Sequence, residues 1–146
     1  MIYADIGYAE DFFATCLWTD DWDAANITDK NKALTMATKI IDQLNFLGDK
    51  ADPNQENQFP RGTDTEVPNA IKEACVWIAK ALIEGVNPEK EFENLFLLMQ
   101  HFEGARVTFD SKPAPNIVAG VPSSTAWRLL YPFLRDGAVI TLRRVD

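Results

Sequence analysis

The residues able to do chemistry are few. His101 is the one histidine in the chain, beside Phe102 at the end of a helical pattern, where it reads as a capping or surface group. Cys16 and Cys75 both fall on apolar positions of helical repeats, so they read as small buried hydrophobes in a reducing compartment. Neither Cys-x-x-Cys nor His-x-x-x-His occurs, which leaves no transition-metal site of the usual kinds. No glycine-rich loop is present to cradle phosphate. Asp20-Asp21-Trp22-Asp23 gathers carboxylates but lacks the spacing and the glycine of a calcium loop, and reads as a solvated turn. With no nucleophile–base pair, metal set or cofactor motif, enzymatic chemistry is not expected.

The most informative polar stretch is Gln55 to Ile71. Asp52-Pro53 and Phe59-Pro60 hold the backbone extended, since a residue before proline avoids the α region. Gly62 permits a turn, and Pro68 stands where a helix would start. Gln55 and Gln58 flank the step Phe59-Pro60-Arg61. From composition and spacing alone this is an ordered loop between two helices.

Helices on both sides must position that loop. An amphipathic pattern from Tyr8 puts Phe12, Phe13, Cys16 and Leu17 on one face. Trp18 and Trp22 bracket an acidic turn and are expected to anchor it to the core. Thr28 or Asp29 caps a second helix. Its stripe is Ala33, Leu34, Ala37, Ile40, Ile41 and Leu44, with Lys30, Lys32, Lys39 and Asp42 turned away, and Gly48 is a plausible stop. A third helix from Pro68 buries Ile71, Ala74, Cys75, Ile78 and Leu82, offers Trp77 to a second surface, and ends at Gly85. Asn87-Pro88-Glu89 starts a fourth helix with Phe92, Leu95, Phe96, Met99 and Phe102 inward, running to about His101. Arg106-Val107-Thr108-Phe109-Asp110 then alternates as a strand does. Lys112-Pro113-Ala114-Pro115 is an extended connector. Ser123 or Ser124 caps a last helix through Trp127, Leu129, Leu130 and Phe133, which Pro132 must kink or restart. After Gly137, residues 138–146 form a strand-like arm.

The expected fold is mainly α: one domain over residues 1–146, a bundle of four to five helices with a small β element and an extended C-terminal arm. Its 146 residues suffice for a sizeable core. There are 14 Lys and Arg against 22 Asp and Glu, a net charge of -8. That balance opposes nonspecific nucleic-acid binding and attachment to an anionic membrane. The run Leu95 to Met99 is far too short to span a bilayer. No basic segment followed by an apolar core opens the sequence, so no signal peptide is expected.

The order of features resembles the head-tail connector (adaptor) family of tailed phages. The residues that carry it are the first amphipathic helix ending near Trp22, Ala33-Leu34-x-x-Ala37-Thr38, and Leu47-Gly48-Asp49-Lys50. Gln55-x-x-Gln58-Phe59-Pro60-Arg61, Val67-Pro68-x-x-Ile71-Lys72-x-Ala74-Cys75 and the segment Thr125 to Leu134 complete it. The resemblance implies a virion neck protein, assembled in the host cytoplasm, that docks under the portal ring without a cofactor. Its implied partners are the portal protein, neighbouring copies in a twelve-membered ring, and a tail or second neck protein. Genomic DNA would pass through without sequence-specific contact, and no membrane is involved. Contact residues would come from the loop (Gln55, Gln58, Phe59, Arg61), the connector from Asp110 to Pro122, and the arm (Ile140, Leu142, Arg143, Arg144). The same pattern is sometimes labelled DnaT-like single-stranded-DNA-binding. That activity needs a basic groove lined by stacking aromatics, whereas the cations here are scattered and Arg143-Arg144 is the only adjacent pair.

Overall fold

A computed structural model describes residues 1–101 and 115–135. Among these residues the chain is mainly α. Its helices are α1 (Ile6–Phe13), α2 (Asp20–Ala24), α3 (Ile27–Asp42), α4 (Asn69–Ile83), α5 (Pro88–His101), α6 (Pro115–Val118) and α7 (Ser124–Leu130), followed by a 3-10 turn at Tyr131–Phe133. No strand longer than an isolated bridge occurs among the described residues; the bridges pair Phe46 with Leu134 and Lys50 with Arg61. The expected strands at 106–110 and 138–145, and most of the connector at 112–115, lie outside the described residues. No described helix is long and apolar enough to cross a membrane.

Helix α4 is the central element. It packs against α3 on one side, α7 on another, and α2 at a further contact. Ile71, Ala74, Cys75, Val76, Ile78 and Ala79 are all fully buried. Alanine and cysteine at three of those positions let neighbouring backbones approach. The facing residues, Leu34, Ala37 and Ile41 of α3 and Ala126 and Leu130 of α7, are also fully buried. A leucine or isoleucine in such a place contributes roughly 1.5–3 kcal/mol over an exposed one. At the far end, α4 closes by a glycine turn: Gly85 takes a φ of 92°, and the Val86 amide reaches back to the Ala81 carbonyl at 3.1 Å.

Several local expectations are met at the atomic level. Ser123 caps α7 by accepting from the Ala126 amide at 3.2 Å. Asn87 accepts from the Glu89 amide at 3.0 Å. Pro132 restarts the chain as a 3-10 turn after α7. Trp77 forms a second contact surface, edge-on to Phe12 and Phe13 of α1 at 5.8 and 5.9 Å between ring centroids.

Others are corrected. The cap of α3 is Asn26, whose side chain accepts from the Asp29 amide at 2.8 Å, not Thr28 or Asp29. Lys30 is buried, not turned to solvent. Its ammonium meets Glu10 at 2.7 Å and lies 5.4 Å above the Trp22 ring, so its stem covers apolar surface while its charge is paired. Gly48 does not stop α3, which ends at Asp42, and instead forms part of the following loop with a φ of 74°. Leu82 is only half-buried and Phe92 is exposed, so the inner faces of α4 and α5 are narrower than the repeats imply. Of the tryptophan pair, Trp22 is fully buried, while Trp18 is 85% exposed.

Cys16 and Cys75 are both free thiols, the first half-buried and the second buried. Burial pushes the Cys75 thiol up to about 11 from its ordinary 9.0, against a smaller downward pull from its contact with Thr38. Because folding holds this thiol neutral, its contribution to stability is complete below about pH 9 and is lost as pH rises through about 11. Two pKa steps correspond to about 2.7 kcal/mol. Tyr3 is raised in the same sense, first by burial and then by its bond to Asp42, and extends the loss to more alkaline pH. We therefore expect urea unfolding midpoints to fall between about pH 9 and about pH 11, the window set by the unfolded and folded thiol. The fall should be visibly shallower in Cys75→Ala. An equal slope in the variant would mean that Cys75 is not held neutral by the fold.

Candidate partner-binding loop

The segment from Gln43 to Pro68 connects α3 to α4 and has no helix of its own. Its backbone polar groups must still be paired, and the side chains singled out in the sequence do much of that pairing. Gln55 accepts from the Asp52 amide at 3.1 Å and donates its Nε2 to the carbonyls of Asn57 and Pro60, both at 2.8 Å. Lys50 donates to the Gln55 carbonyl at 3.2 Å. The two limbs of the loop close on each other where the Ala51 amide meets the Pro60 carbonyl at 3.0 Å and the Gly62 amide meets the Asp49 carbonyl at 2.9 Å.

Arg61 fixes the base of the loop. Its Nε donates to the Leu47 carbonyl at 2.9 Å. One terminal nitrogen donates to Gln58, at 3.2 Å to the backbone carbonyl and 2.9 Å to the side chain. The other reaches the carbonyls of Phe46, at 3.4 Å, and Gly48. The guanidinium also lies 5.9 Å from the Phe46 ring centre and 6.0 Å from that of Phe59. A planar fork with five N–H donors suits this cluster of carbonyls in a way that an ammonium does not.

Phe59 is the hydrophobic anchor, with 2% of its surface exposed. Its ring meets Phe46 at 4.7 Å, Phe133 at 5.8 Å and Tyr3 at 6.1 Å, and its peptide bond to Pro60 is cis. The Phe59 amide donates to the Tyr3 hydroxyl at 3.1 Å, and that hydroxyl donates to Asp42 Oδ1. Asp42 also accepts from the Gln58 amide at 3.1 Å and from Asn57 Nδ2 at 2.8 Å. Asn57, buried, was missed by sequence reasoning; a polar residue in a polar loop carries no periodic signal.

The structure thus brings Gln55, Gln58, Phe59 and Arg61 together, and their side chains hold the loop. Its exposed rim is Asp52, Pro53, Asn54 and Glu56. Ile140, Leu142, Arg143 and Arg144 lie outside the described residues. The C-terminal side of α7 seals the loop from below: the Leu47 amide donates to the Phe133 carbonyl at 2.9 Å, and the Arg135 amide to the Asn45 carbonyl at 3.1 Å. Among the described residues, no group of three or more His, Cys, Asp or Glu side chains is placed to hold a metal ion.

Four of the ten described cations share a habit. Lys30 and Lys80 pair with Glu10 and Glu84, while Lys50 and Arg61 donate to the loop's own oxygens. Trp18, the most exposed aromatic among the described residues, has exposed Asp20 and Asp21 as chain neighbours.

These observations define a mainly α protein built on a buried central helix, with a self-bonded loop at one end of it. A family model described as a putative DnaT-like ssDNA-binding protein matches residues 3–94, more than half of the chain, and the chain belongs to that family. No curated protein and no solved structure matches it.

Replacing Arg61 by lysine keeps the charge but loses most of the carbonyl contacts. We expect Arg61→Lys to cost about 2–3 kcal/mol in urea unfolding, with helical content unchanged and faster amide exchange at Gly62. Unchanged stability would show that the guanidinium is solvated and does not hold the loop.

Proposed function

We propose that the chain is a structural neck protein of a tailed phage, a head-tail connector that docks under the portal ring and links the capsid to the tail. One observation carries this reading over DNA binding: four of the ten described cations, Lys30, Lys50, Arg61 and Lys80, are turned onto the protein's own carbonyls and carboxylates. The net charge of -8 points the same way. A surface of that kind repels phosphate, which suits a conduit through which DNA slides. The motif order running from the first helix to Leu134 supports the same reading.

On this proposal the protein acts in the virion as a ring of copies, without catalysis or cofactor. Its contacts are with portal, neighbouring copies and a tail or second neck protein. Gln55, Gln58, Phe59 and Arg61 shape the loop whose rim meets a partner. The arm at 138–146 supplies Ile140 and Leu142 as apolar contacts, and Arg143 and Arg144 as cations for portal carboxylates.

A second reading is single-stranded-DNA binding, favoured by the family's description as putative DnaT-like ssDNA-binding proteins. The two separate cleanly by experiment. Fluorescence anisotropy with labelled single-stranded DNA at physiological salt should show no sub-micromolar binding, while immobilised portal rings should retain the protein in a pull-down. Tight DNA binding with a steep salt slope would overturn the connector reading in favour of the second.

A further inference from the structure

Leu17 and Trp18 form the most exposed apolar pair among the described residues, 73% and 85% exposed. Trp18 also takes a φ of 59°, the left-handed region that a residue with a side chain occupies only at an energetic cost. Asp20 and Asp21, two and three residues further along the chain, are exposed. Elsewhere, α3 presents a contrasting stripe. Lys32, Met36, Lys39 and Gln43 recur at helical spacing and are all exposed, with Met36 at 50%. That stripe has one apolar side chain, Met36, between two lysines.

We propose that the Leu17–Trp18 knob of one copy docks on the Lys32–Met36–Lys39 stripe of a second copy. Trp18 against the Met36 thioether gives a sulfur–aromatic contact. Lys32 and Lys39, about 10 Å apart along the helix axis, straddle it and meet Asp20 and Asp21. A knob-to-knob pair would set the same carboxylates against each other and is disfavoured. The acidic rim likewise disfavours nucleic acid as the occupant. Two different patches joined head to tail propagate around an axis and close as a ring when the rotation permits. The choice of a second copy as occupant rests on charge complementarity within this chain, and it deepens the ring reading above by naming the subunit contact.

The test replaces Trp18 with a photoreactive benzoyl-phenylalanine and mixes isotopically light and heavy chains at high micromolar concentration. After irradiation, mass spectrometry should find light–heavy adducts at Met36. Adducts confined to other positions, or no intermolecular adduct, would overturn the proposal. Charge exchange gives an independent readout in sedimentation velocity. Asp20→Lys with Asp21→Lys, and separately Lys32→Glu with Lys39→Glu, should each abolish self-association, and mixing the two variants should restore pairing. Failure to restore it would equally overturn the contact. Trp18→Gly should melt no lower than the parent chain and yet lose association; retained association would also sink the idea. None of these measurements uses portal, so a chain that self-associates through Met36 but is not retained by portal would count against the connector reading alone.

Discussion

One carboxylate holds three distant parts of this chain in register. Asp42, at the last turn of α3, accepts from the Tyr3 hydroxyl, the Gln58 amide and the Asn57 side chain. It thereby fastens the N-terminal segment and the far limb of the loop to one helix end. The Tyr3 hydroxyl, having donated to Asp42, accepts from the Phe59 amide, and Phe59 can then enter the core without leaving its N–H unsatisfied. A buried amide with no partner would cost about 1–3 kcal/mol. The aromatic anchor therefore depends on the polar node, and the placement of Arg61 beneath it depends on both.

Much of the fold was legible because helical periodicity reports burial directly. The stripes of α3 and α4, the start at Pro68, the glycine turn at Gly85 and the cap at Ser123 all follow from spacing and local chemistry. Failures occurred where tertiary context outranks residue type. Lys30 looks like a solvent residue, yet Trp22 and Glu10 give it a buried seat. Trp18 looks like a core residue, yet its backbone points it outward. The short helices α2 and α6, of five and four residues, are too brief to generate a period.

The loop was visible as a unit but not in its workings. The motif Gln55-x-x-Gln58-Phe59-Pro60-Arg61 mixes polar and aromatic residues at close spacing; spacing alone reads as an ordered loop, and the expectation of a contact surface comes from the resemblance to connector proteins. That same mixture is what a long irregular segment needs to satisfy its own backbone, with Gln55 and Arg61 as donors and Phe59 as anchor. Sequence spacing cannot separate the two uses, since both call for the same residue types. Which way each side chain turns depends on Tyr3, Asp42 and Phe133, residues that stand far from the motif along the chain.

The boundary of the family match has a topological consequence. The match ends at residue 94, but the backbone seam that closes the loop is made with Phe133, Leu134 and Arg135, and one buried flank of α4 is covered by α7. The stretch shared by the family therefore leaves part of its core to be covered, in this chain, by residues beyond it. A ribosome that has released only the first 94 residues presents an α4 flank with no cover and Phe59 without Phe133 beside it. The cover over that flank and the ring beside Phe59 come from residues 124–135, so these contacts form only after the matched stretch has left the ribosome.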